Sequence, residues 1–410
     1  MSAPLGRRGA PAPSTPPVAI DRARVEGLIR LSLAGLEAMY DPAREALFSV
    51  TYEDGHRQSV DHLGIRYTVM SCLGIHEAKA AGFATTLDAG TLLKSGLARH
   101  PTPDIDHLAM ALWADVTVDA GVGASVLPKL LKSLEKDLDG VVGRELAWAL
   151  TGLALHSTRD PDLKVRAAAK RLRDLAIEVC WKEGGGLFDH FVGGNRWLRP
   201  QALFSTQIYW VYALATYGRI FNDSEAIRIA TRCADTLIAL RDPFHGWCWR
   251  YHAPSGRVTE RYPVYSVHQD AMAPMALNVL GDANGRDYRE TNRESLGWLW
   301  RNELGENMVD EREQVIWRAI RRVYPLNRAA YGLGWATSWA GLDSPVADRP
   351  WALRVNRTCR PYHLGWLLHA WVRSTRLPDQ RSRVPGGDPA KQERGESRSQ
   401  SAKPDRLGGL

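Results

Sequence analysis

Helical hydrophobic periodicity extends through almost all of residues 21–375, and this pattern constrains the fold more than any other feature. Apolar residues recur at three- and four-residue spacings, whereas the two-residue alternation that is typical of β-strands is scarce. The sequence therefore predicts an all-α domain of twelve helices, at about 21–40, 63–80, 85–98, 104–118, 123–138, 142–157, 162–180, 203–218, 223–241, 266–280, 286–303 and 361–374.

The predicted helices form six consecutive pairs whose two members differ in kind. The first member is charged along one side, as in "SEAIRIATRCADTLIALR", and the second is rich in Ala, Gly, Ser and aromatic residues, as in "FSTQIYWVYALATYG". A helix with one apolar face lies at the surface, whereas a helix that is apolar nearly all round is buried. We therefore expect six hairpins, each made of an outer helix and an inner helix.

The connections between helices are asymmetric. Links from an inner helix to the next outer helix are short, whereas the long links, at 41–62, 181–202, 242–265 and 304–360, all lead into an inner helix. Long connections inside a compact domain are usually functional. We expect these four to gather at one end of the domain, where the inner helices begin.

Six outer–inner hairpins that close in a ring describe an (α/α)6 toroid, and in this arrangement the chain resembles the six-hairpin glycosidase-like superfamily. The resemblance covers about 21–375 and rests on the hairpin count, the link asymmetry and the placement of aromatic residues. It implies a carbohydrate-active enzyme, a hydrolase, lyase or epimerase, with the hydrolase branch favoured as the most populous. Terpenoid cyclases and prenyltransferase β-subunits share the toroid and are the alternative.

The flanking segments, 1–20 and 376–410, are rich in Pro, Gly, Ser and Arg and are predicted to be disordered. They carry most of the net charge of +7, so we predict that the protein does not bind nucleic acid. The sequence has no apolar stretch long enough to span a membrane and no hydrophobic signal segment, so we expect a cytoplasmic protein.

Metal and cofactor motifs are absent from the sequence. The five cysteines are widely spaced without a CxxC pair, which predicts free, mostly buried thiols and no metal site. The sequence also lacks GxGxxG after a strand, GxxxxGK[ST], HExxH and GxSxG, so we expect no cofactor.

The link before the fifth inner helix is the richest in aromatic residues. "GWCWRYHAPSGRVTERYPVY" has turn residues at "APSG" between two β-prone arms, which predicts a small β-hairpin near 247–265. Its rings are expected near the opening of a central cavity, where flat faces can stack on sugars and polar tips can bind hydroxyls. These rings are Trp247, Trp249, Tyr251, Tyr262 and Tyr265.

The helix that follows begins "SVHQDAMAPMAL", and Ser266 with Gln269 matches a capping box. That structural interpretation leaves His268 and Asp270 in the first turn without a packing role. Because a histidine gains nothing from the positive end of a helix dipole, His268 is the leading functional candidate.

Two kinds of chemistry fit the polar residues near the starts of the inner helices. Glycoside hydrolysis needs a carboxylic acid and a carboxylate, with candidates Glu53, Asp54, Asp106, Glu145, Asp189, Glu260 and Asp270. A lyase or epimerase needs a base, a proton donor and a cation that stabilises the developing negative charge. His268 with Tyr265 or Tyr262, together with Arg250 or Arg360, would supply that set.

The predicted catalytic residues are His268, Asp270, Tyr265, Glu260 and His363. The predicted substrate-binding residues are Trp247, Trp249, Arg250, Tyr262, Arg66, Tyr67, Arg360, Tyr362 and Trp335. Arginine forks match carboxylates, which favours a carbohydrate with an acidic group such as a uronic acid. A non-catalytic toroid that binds glycan or a partner in polysaccharide assembly is a second alternative.

Overall fold

The computed structural model describes residues 18–59, 61–99, 104–194, 200–323, 326–339 and 350–375. Apart from residues 18–20, the two predicted disordered tails lie outside the described residues. The described chain forms thirteen α-helices: α1 (Arg22–Ala38), α2 (Asp61–Ala80), α3 (Ala89–Ala98), α4 (Ile105–Val118), α5 (Gly123–Leu134), α6 (Gly143–His156), α7 (Leu163–Asp174), α8 (Phe204–Phe221), α9 (Ser224–Ala239), α10 (Ala273–Asn284), α11 (Arg289–Gly297), α12 (Leu326–Trp339) and α13 (Pro361–Trp371).

Six of these helices form a closed inner ring. Around the ring, α2 packs against α4, α4 against α6, α6 against α8, α8 against α10, α10 against α13, and α13 against α2. The inner helices are apolar nearly all round; α8, for example, buries every side chain from Thr206 to Tyr217. The predicted all-α toroid is therefore confirmed.

The outer helices are α1, α3, α5, α7, α9 and α11. The α7 helix shows why they lie outside, since its buried positions are Val165, Ala169 and Leu172, a single apolar stripe on an otherwise charged helix. The outer helices α3, α5, α7 and α9 each pack mainly on the inner helix that precedes them in the chain, and α1 packs on α13. This differs from the predicted pairs, in which each outer helix precedes its inner partner in the chain. The short inner-to-outer links hold consecutive helices together, whereas the long links lead from an outer helix to the next inner helix of the ring.

The ring closes by a close approach of α2 to α13. A Cβ atom added to Gly74 would lie 2.0 Å from the carbonyl oxygen of Gly365, and one added to Gly365 would lie 2.5 Å from Cα of Ser71. The first and last inner helices therefore touch backbone to backbone, which only glycine permits at these two positions.

Fifteen short strands occupy the long links in the described chain: β1 (Tyr40–Asp41), β2 (Ala46–Leu47), β3 (Val50–Tyr52), β4 (Arg57–Gln58), β5 (Trp181–Lys182), β6 (Leu187–Phe188), β7 (Gln201–Leu203), β8 (Arg250–His252), β9 (Arg257–Glu260), β10 (Val264–Tyr265), β11 (Val309–Asp310), β12 (Val315–Ile316), β13 (Ala319–Arg322), β14 (Leu353–Asn356) and β15 (Thr358–Cys359). They pair locally as β1-β2, β5-β6 and β11-β12, and in three three-stranded sheets ordered β7-β8-β9, β10-β13-β14 and β15-β3-β4.

The predicted β-hairpin is present as β8 and β9. Tyr251 pairs with Val258 and His252 with Arg257, and the "APSG" turn ends at Gly256, whose φ is +65°. The strand β7 extends this hairpin into a sheet on its other side. The 304–360 link is not a plain loop, since it holds β11 to β15 and the additional helix α12.

The expectation of free, buried thiols is confirmed. All five cysteines are free and buried. Among the described residues, no helix combines the length and apolar character that crossing a membrane requires.

Candidate active site

Polar side chains from the first two turns of the inner helices contact one another from helix to helix. Nη1 of Arg66 at the start of α2 lies 3.0 Å from Oδ2 of Asp106 at the start of α4. The ring of Tyr67 packs 4.7 Å from that of Tyr362 at the start of α13. These contacts, with those of His268 and His363 below, form what we call the polar cluster.

His268 lies in a π-helical turn, His268–Met272, that leads into α10. Its side chain is only 3% exposed and is surrounded by rings: Phe204 at 4.6 Å, Tyr265 at 5.1 Å and Trp249 stacked at 6.0 Å. Burial, followed by repulsion from His363 and Arg318, lowers the pKa of His268 to about 3. The imidazole is therefore neutral at neutral pH, and its buried Nδ1 has no hydrogen-bond partner among the described residues.

The surroundings of His363 on α13 raise its pKa, whereas those of His268 lower the pKa of that histidine. Its Nε2 lies 2.7 Å from Oδ2 of Asp270, and both side chains are buried. Burial alone would lower the pKa of His363, but the charge and hydrogen bond of Asp270 outweigh it and raise that pKa to about 9. Nε1 of Trp371 donates to the backbone carbonyl of Asp270 at 2.6 Å, which fixes the turn that carries the carboxylate.

Three arginines bring positive charge to the cluster, and Glu260, which attracts one of them, Arg250, forms its own ion pair with Arg322. Among the residues that the structure describes, Arg250, Arg318 and Arg360 have no acidic side chain within salt-bridge distance. Burial, and then the neighbouring charge of Arg318, lowers the pKa of Arg360. Arg318 itself lies 5.4 Å above the ring of Tyr265. The region thus has an excess of partly buried positive charge.

Two carboxyl groups on α4 and α6 have pKa values shifted in opposite directions. Burial opposes ionisation of Asp106, but His107 and Arg66 lower its pKa to about 2. Burial raises the pKa of Glu145, against the attraction of Arg144, whose Nη2 lies 3.4 Å away. Asp106 is thus ionised, and Glu145 holds its proton more strongly than an exposed glutamate does.

A group that could hold a metal ion also includes Asp106. Ligand atoms of Asp104, Asp106 and His107 lie within 4.8 Å of one another. Both oxygens of Asp106 are already engaged, Oδ1 with Nδ1 of His107 at 2.6 Å and Oδ2 with Arg66. A cation would have to compete with the Arg66 guanidinium, and we assign no metal to this position.

The sequence matches no protein-family model and no curated protein, but the structure is similar to solved structures. One is cellobiose 2-epimerase from Bacillus thermoamylovorans B4167, with a TM-score of 0.62 at 10% sequence identity, covering 86% of this chain and 100% of that chain. Another is unsaturated glucuronyl hydrolase from Streptococcus agalactiae, with a TM-score of 0.58 at 12% identity, covering 87% and 93% of the two chains. The chain has the six-hairpin glycosidase-like fold.

A sugar epimerase from a ruminal bacterium shares this six-hairpin fold, with a TM-score of 0.57 at 10% identity over 85% of this chain and 98% of that chain. These structural neighbours are carbohydrate-active enzymes by name. At such low sequence identities the likeness shows the fold alone, since one fold hosts many chemistries.

The six-hairpin fold brings most of the predicted site residues together. Those in the polar cluster or in direct contact with it are Arg66, Tyr67, Trp249, Tyr265, His268, Asp270, Arg360, Tyr362 and His363. Arg250 interacts electrostatically with Tyr265 and so lies beside the cluster. Glu260 is buried, and its Oε1 contacts Arg322 and accepts from the backbone nitrogen of Tyr262.

Three rings that were expected near an opening are instead packed inside the protein. Trp247 is 1% exposed and donates its Nε1 hydrogen to Ser295 at 2.7 Å. Tyr251 is equally buried and donates to the backbone carbonyl of Cys248 at 2.9 Å, and Tyr262 is buried beside Arg322. A partly polar ring is stable in a core when its polar atom has a partner, which the sequence pattern does not reveal. Trp335 lies on α12 against the ring of His252.

The predicted capping box does not form. The Ser266 hydroxyl donates to the carbonyl of Trp317, and the Gln269 amide donates to the carbonyl of Tyr265 and accepts from the backbone nitrogen of Trp247. Both residues serve instead to attach the α10 turn to neighbouring strands and links. The reason is that the helix begins with a π-helical turn, whose geometry differs from that of the α-helical N-terminus in a capping box.

Two residues of the polar region were not predicted from the sequence. Arg318 is carried next to Tyr265 because β13 pairs with β10 and the backbone nitrogen of Ser266 donates to its carbonyl at 2.9 Å. His190 lies before β7, with Nδ1 2.6 Å from Oγ1 of Thr206, and burial, followed by Arg144 and Arg250, lowers its pKa to about 3. Both lie in irregular links, where no periodicity marks a functional position.

Proposed function

We propose that this protein is a carbohydrate-active enzyme that transfers protons on a sugar carrying an acidic group, in the manner of a sugar epimerase. His268 would act as the base and His363 as the proton donor. The observation that carries the proposal is the juxtaposition of a neutral imidazole, His268, with a charged imidazole, His363, at the starts of two adjacent inner helices. Pairs of groups whose pKa values are pushed apart typify acid–base catalysis.

The proposed step balances in protons and electrons. Neutral His268 removes the hydrogen on the carbon next to the carbonyl of the open-chain sugar, and the C–H electron pair becomes the C=C bond of an enediolate. The carbonyl oxygen takes the negative charge. Protonated His363 returns a proton to the opposite face of that carbon, and the enediolate electron pair forms the new C–H bond as the carbonyl is restored. The sugar is then epimerised without any change in its oxidation state.

The cationic side chains fit the charge that develops in this step. Arg318 is close enough to His268 to depress the pKa of that histidine, so it also lies close to the reacting carbon in our proposal. A fixed guanidinium near a developing oxyanion stabilises the transition state more strongly than water does, because it needs no reorganisation.

The excess of partly buried arginine supports an acidic substrate. Burying a guanidinium without a carboxylate is costly, and a ligand that carries a carboxylate would remove that cost on binding. In the described chain, Arg250, Arg318 and Arg360 are partly buried, and no acidic side chain lies within salt-bridge distance of them. The same polarity disfavours the terpenoid-cyclase alternative, because a polyene gains nothing from arginine and histidine side chains.

Glycoside hydrolysis is the second candidate, and one observation favours it. Glu145 and Asp106 have pKa values shifted apart on neighbouring inner helices, as an acid and a carboxylate of a glycosidase would. However, Asp106 is held by Arg66 and His107 through both oxygens, which leaves it less free to act on a sugar or a water.

Product analysis distinguishes the two candidates. The protein would be incubated with matched neutral and uronate-containing mono- and oligosaccharides, and the products separated and identified by NMR. We expect an epimer of an acidic sugar with no new reducing end, and we expect His268→Asn to abolish it while Glu145→Gln leaves it measurable. New reducing ends that disappear in Glu145→Gln would establish hydrolysis instead. Binding without any product would favour the non-catalytic alternative.

A further inference from the structure

The helix α12 is additional to the twelve helices of the toroid. It lies between β13 and β14 in the chain and packs mainly on β9, with a smaller contact to β13. Leu333 on this helix is 48% exposed, so α12 lies at the surface. The α12 residue Tyr331 connects this helix to the polar region.

Tyr331 touches Arg250 and Gln201 at the same time. The guanidinium carbon of Arg250 lies 4.0 Å from the centre of the Tyr331 ring. Nε2 of Gln201 donates to the Tyr331 hydroxyl at 2.6 Å, and Oε1 of Gln201 accepts from Nη1 of Arg250 at 3.3 Å. The three side chains therefore form a closed set that spans α12, β7 and β8.

This set orders the Arg250 guanidinium without neutralising it. An aromatic face and an amide oxygen attract a cation, yet neither carries the formal charge that a carboxylate would. Nε of Arg250 is also buried without a hydrogen-bond partner among the described residues. The Glu260 carboxylate attracts Arg250 as well, but Glu260 forms its ion pair with Arg322, so the Arg250 guanidinium is held in place and can still bind an anion.

We propose that Tyr331 is a specificity-determining residue that positions Arg250 for the carboxylate of an acidic sugar. This inference rests on the proposed function and deepens it, because it attributes the selectivity of the site for acidic sugars to a contact made by α12, which lies outside the toroid. Arg250 binds the substrate carboxylate, and Tyr331 acts through Arg250 without touching the sugar.

A purely structural role for Tyr331 makes a different prediction. If the ring only attached α12 to the sheet, its removal would affect neutral and acidic sugars alike, or neither. Trp335 provides the matched control, since it lies one turn further along α12 and packs against His252. The informative measurement is therefore the ratio of the affinities for an acidic and a neutral sugar.

The test uses the full-length chain and two probes, D-glucuronate and D-glucose. Glucuronate carries a carboxylate, which glucose lacks. Binding would be measured by calorimetry or ligand-observed NMR for the wild type and for Tyr331→Leu, Tyr331→Phe and Trp335→Leu. We expect Tyr331→Leu to weaken glucuronate binding about tenfold, as loss of a desolvated cation–π contact implies. We expect it to change glucose binding by less than about twofold, and we expect Tyr331→Phe, which keeps the ring, to stay close to the wild type.

Two results would overturn the inference and are distinguishable from each other. If the wild type binds glucuronate no better than glucose, the acidic-substrate proposal fails and the role of Tyr331 fails with it. If the wild type prefers glucuronate but Tyr331→Leu weakens both sugars equally, or Trp335→Leu causes the same selective loss, the positioning role alone is wrong.

Discussion

Nε2 of His363 and Oδ2 of Asp270 lie 2.7 Å apart, in an ion pair that joins the start of α13 to the turn before α10. Both side chains are almost fully buried, at 2% and 0% exposure. Breaking a buried pair by removing one partner leaves an uncompensated charge or an unpaired polar group. The pair therefore sets both the charge state of His363 and part of the stability of the ring.

Replacing Asp270 by Asn should lower the pKa of His363 from about 9, because burial then acts without the charge and the hydrogen bond of the carboxylate. A raised histidine pKa stabilises the folded state below the unfolded pKa, and this stabilisation is lost as the pH rises through the folded pKa. The wild type should therefore lose about 3 kcal/mol of unfolding free energy between about pH 6.5 and 9, and the variant should not.

Histidine NMR titration and denaturant unfolding at several pH values would check this prediction. Asp235→Asn is the matched control, since Asp235 forms an exposed ion pair with Arg286 at 3.0 Å. An unchanged His363 titration in Asp270→Asn would show that the pair does not control the imidazole.

His268→Asn should reduce turnover at least about a hundredfold, since loss of a positioned general base typically costs that much or more. The control is His369→Asn, because His369 lies near the opposite end of α13 and is held by Glu77 at 2.9 Å. The control variant should lose stability and keep its turnover per folded molecule. Equal losses of turnover in both variants would argue against a specific role for His268.

Arg360→Met should weaken the binding of an acidic sugar about tenfold, because a charged hydrogen-bond donor to the carboxylate is removed. The thermal midpoint should stay equal or rise, since burial and the charge of Arg318 already disfavour a charged Arg360. Calorimetry and thermal unfolding give the two readouts, with Arg286→Met as a surface control. A clear fall in stability with unchanged affinity would mean that Arg360 is structural.

Gly74→Ala should destabilise the fold by about 1–3 kcal/mol, because its Cβ would meet the Gly365 carbonyl oxygen and overpack the contact between α2 and α13. Gly27 provides the control, since it is exposed on α1 and its Cβ would have no atom within 4 Å. Gly27→Ala should stabilise by about 0.5–1 kcal/mol through helix propensity. Similar effects of the two substitutions in denaturant unfolding would contradict the close approach.

The sequence predicted the layers of the toroid because burial leaves a direct hydrophobic signature. A charged helix with a single apolar stripe, such as α7, and a helix apolar all round, such as α8, cannot exchange places. The partner of each outer helix was not predictable in the same way. Nothing in the local sequence of α1 indicates whether it packs on α13, the last inner helix, or on α2, the inner helix that follows it in the chain.

The candidate site was predictable where it lies at a helix start and not where it lies in a link. His268 and His363 stand out because they are polar residues in otherwise apolar helices. Arg318 approaches His268 only through the pairing of β13 with β10, a contact between segments some fifty residues apart. Trp247 and Trp249 are alike in the sequence, yet a hydrogen bond to Ser295 places Trp247 in the core.

Solvent exchange tests the proton-transfer account most directly. An acidic sugar, selected by the binding comparison, would be incubated in D₂O with the wild type and with His268→Asn, and deuterium on the carbon next to the carbonyl would be followed by NMR. The account predicts that the wild type incorporates deuterium at that carbon and that His268→Asn does not. Formation of product without deuterium at that carbon, or incorporation at the wild-type rate in His268→Asn, would contradict it.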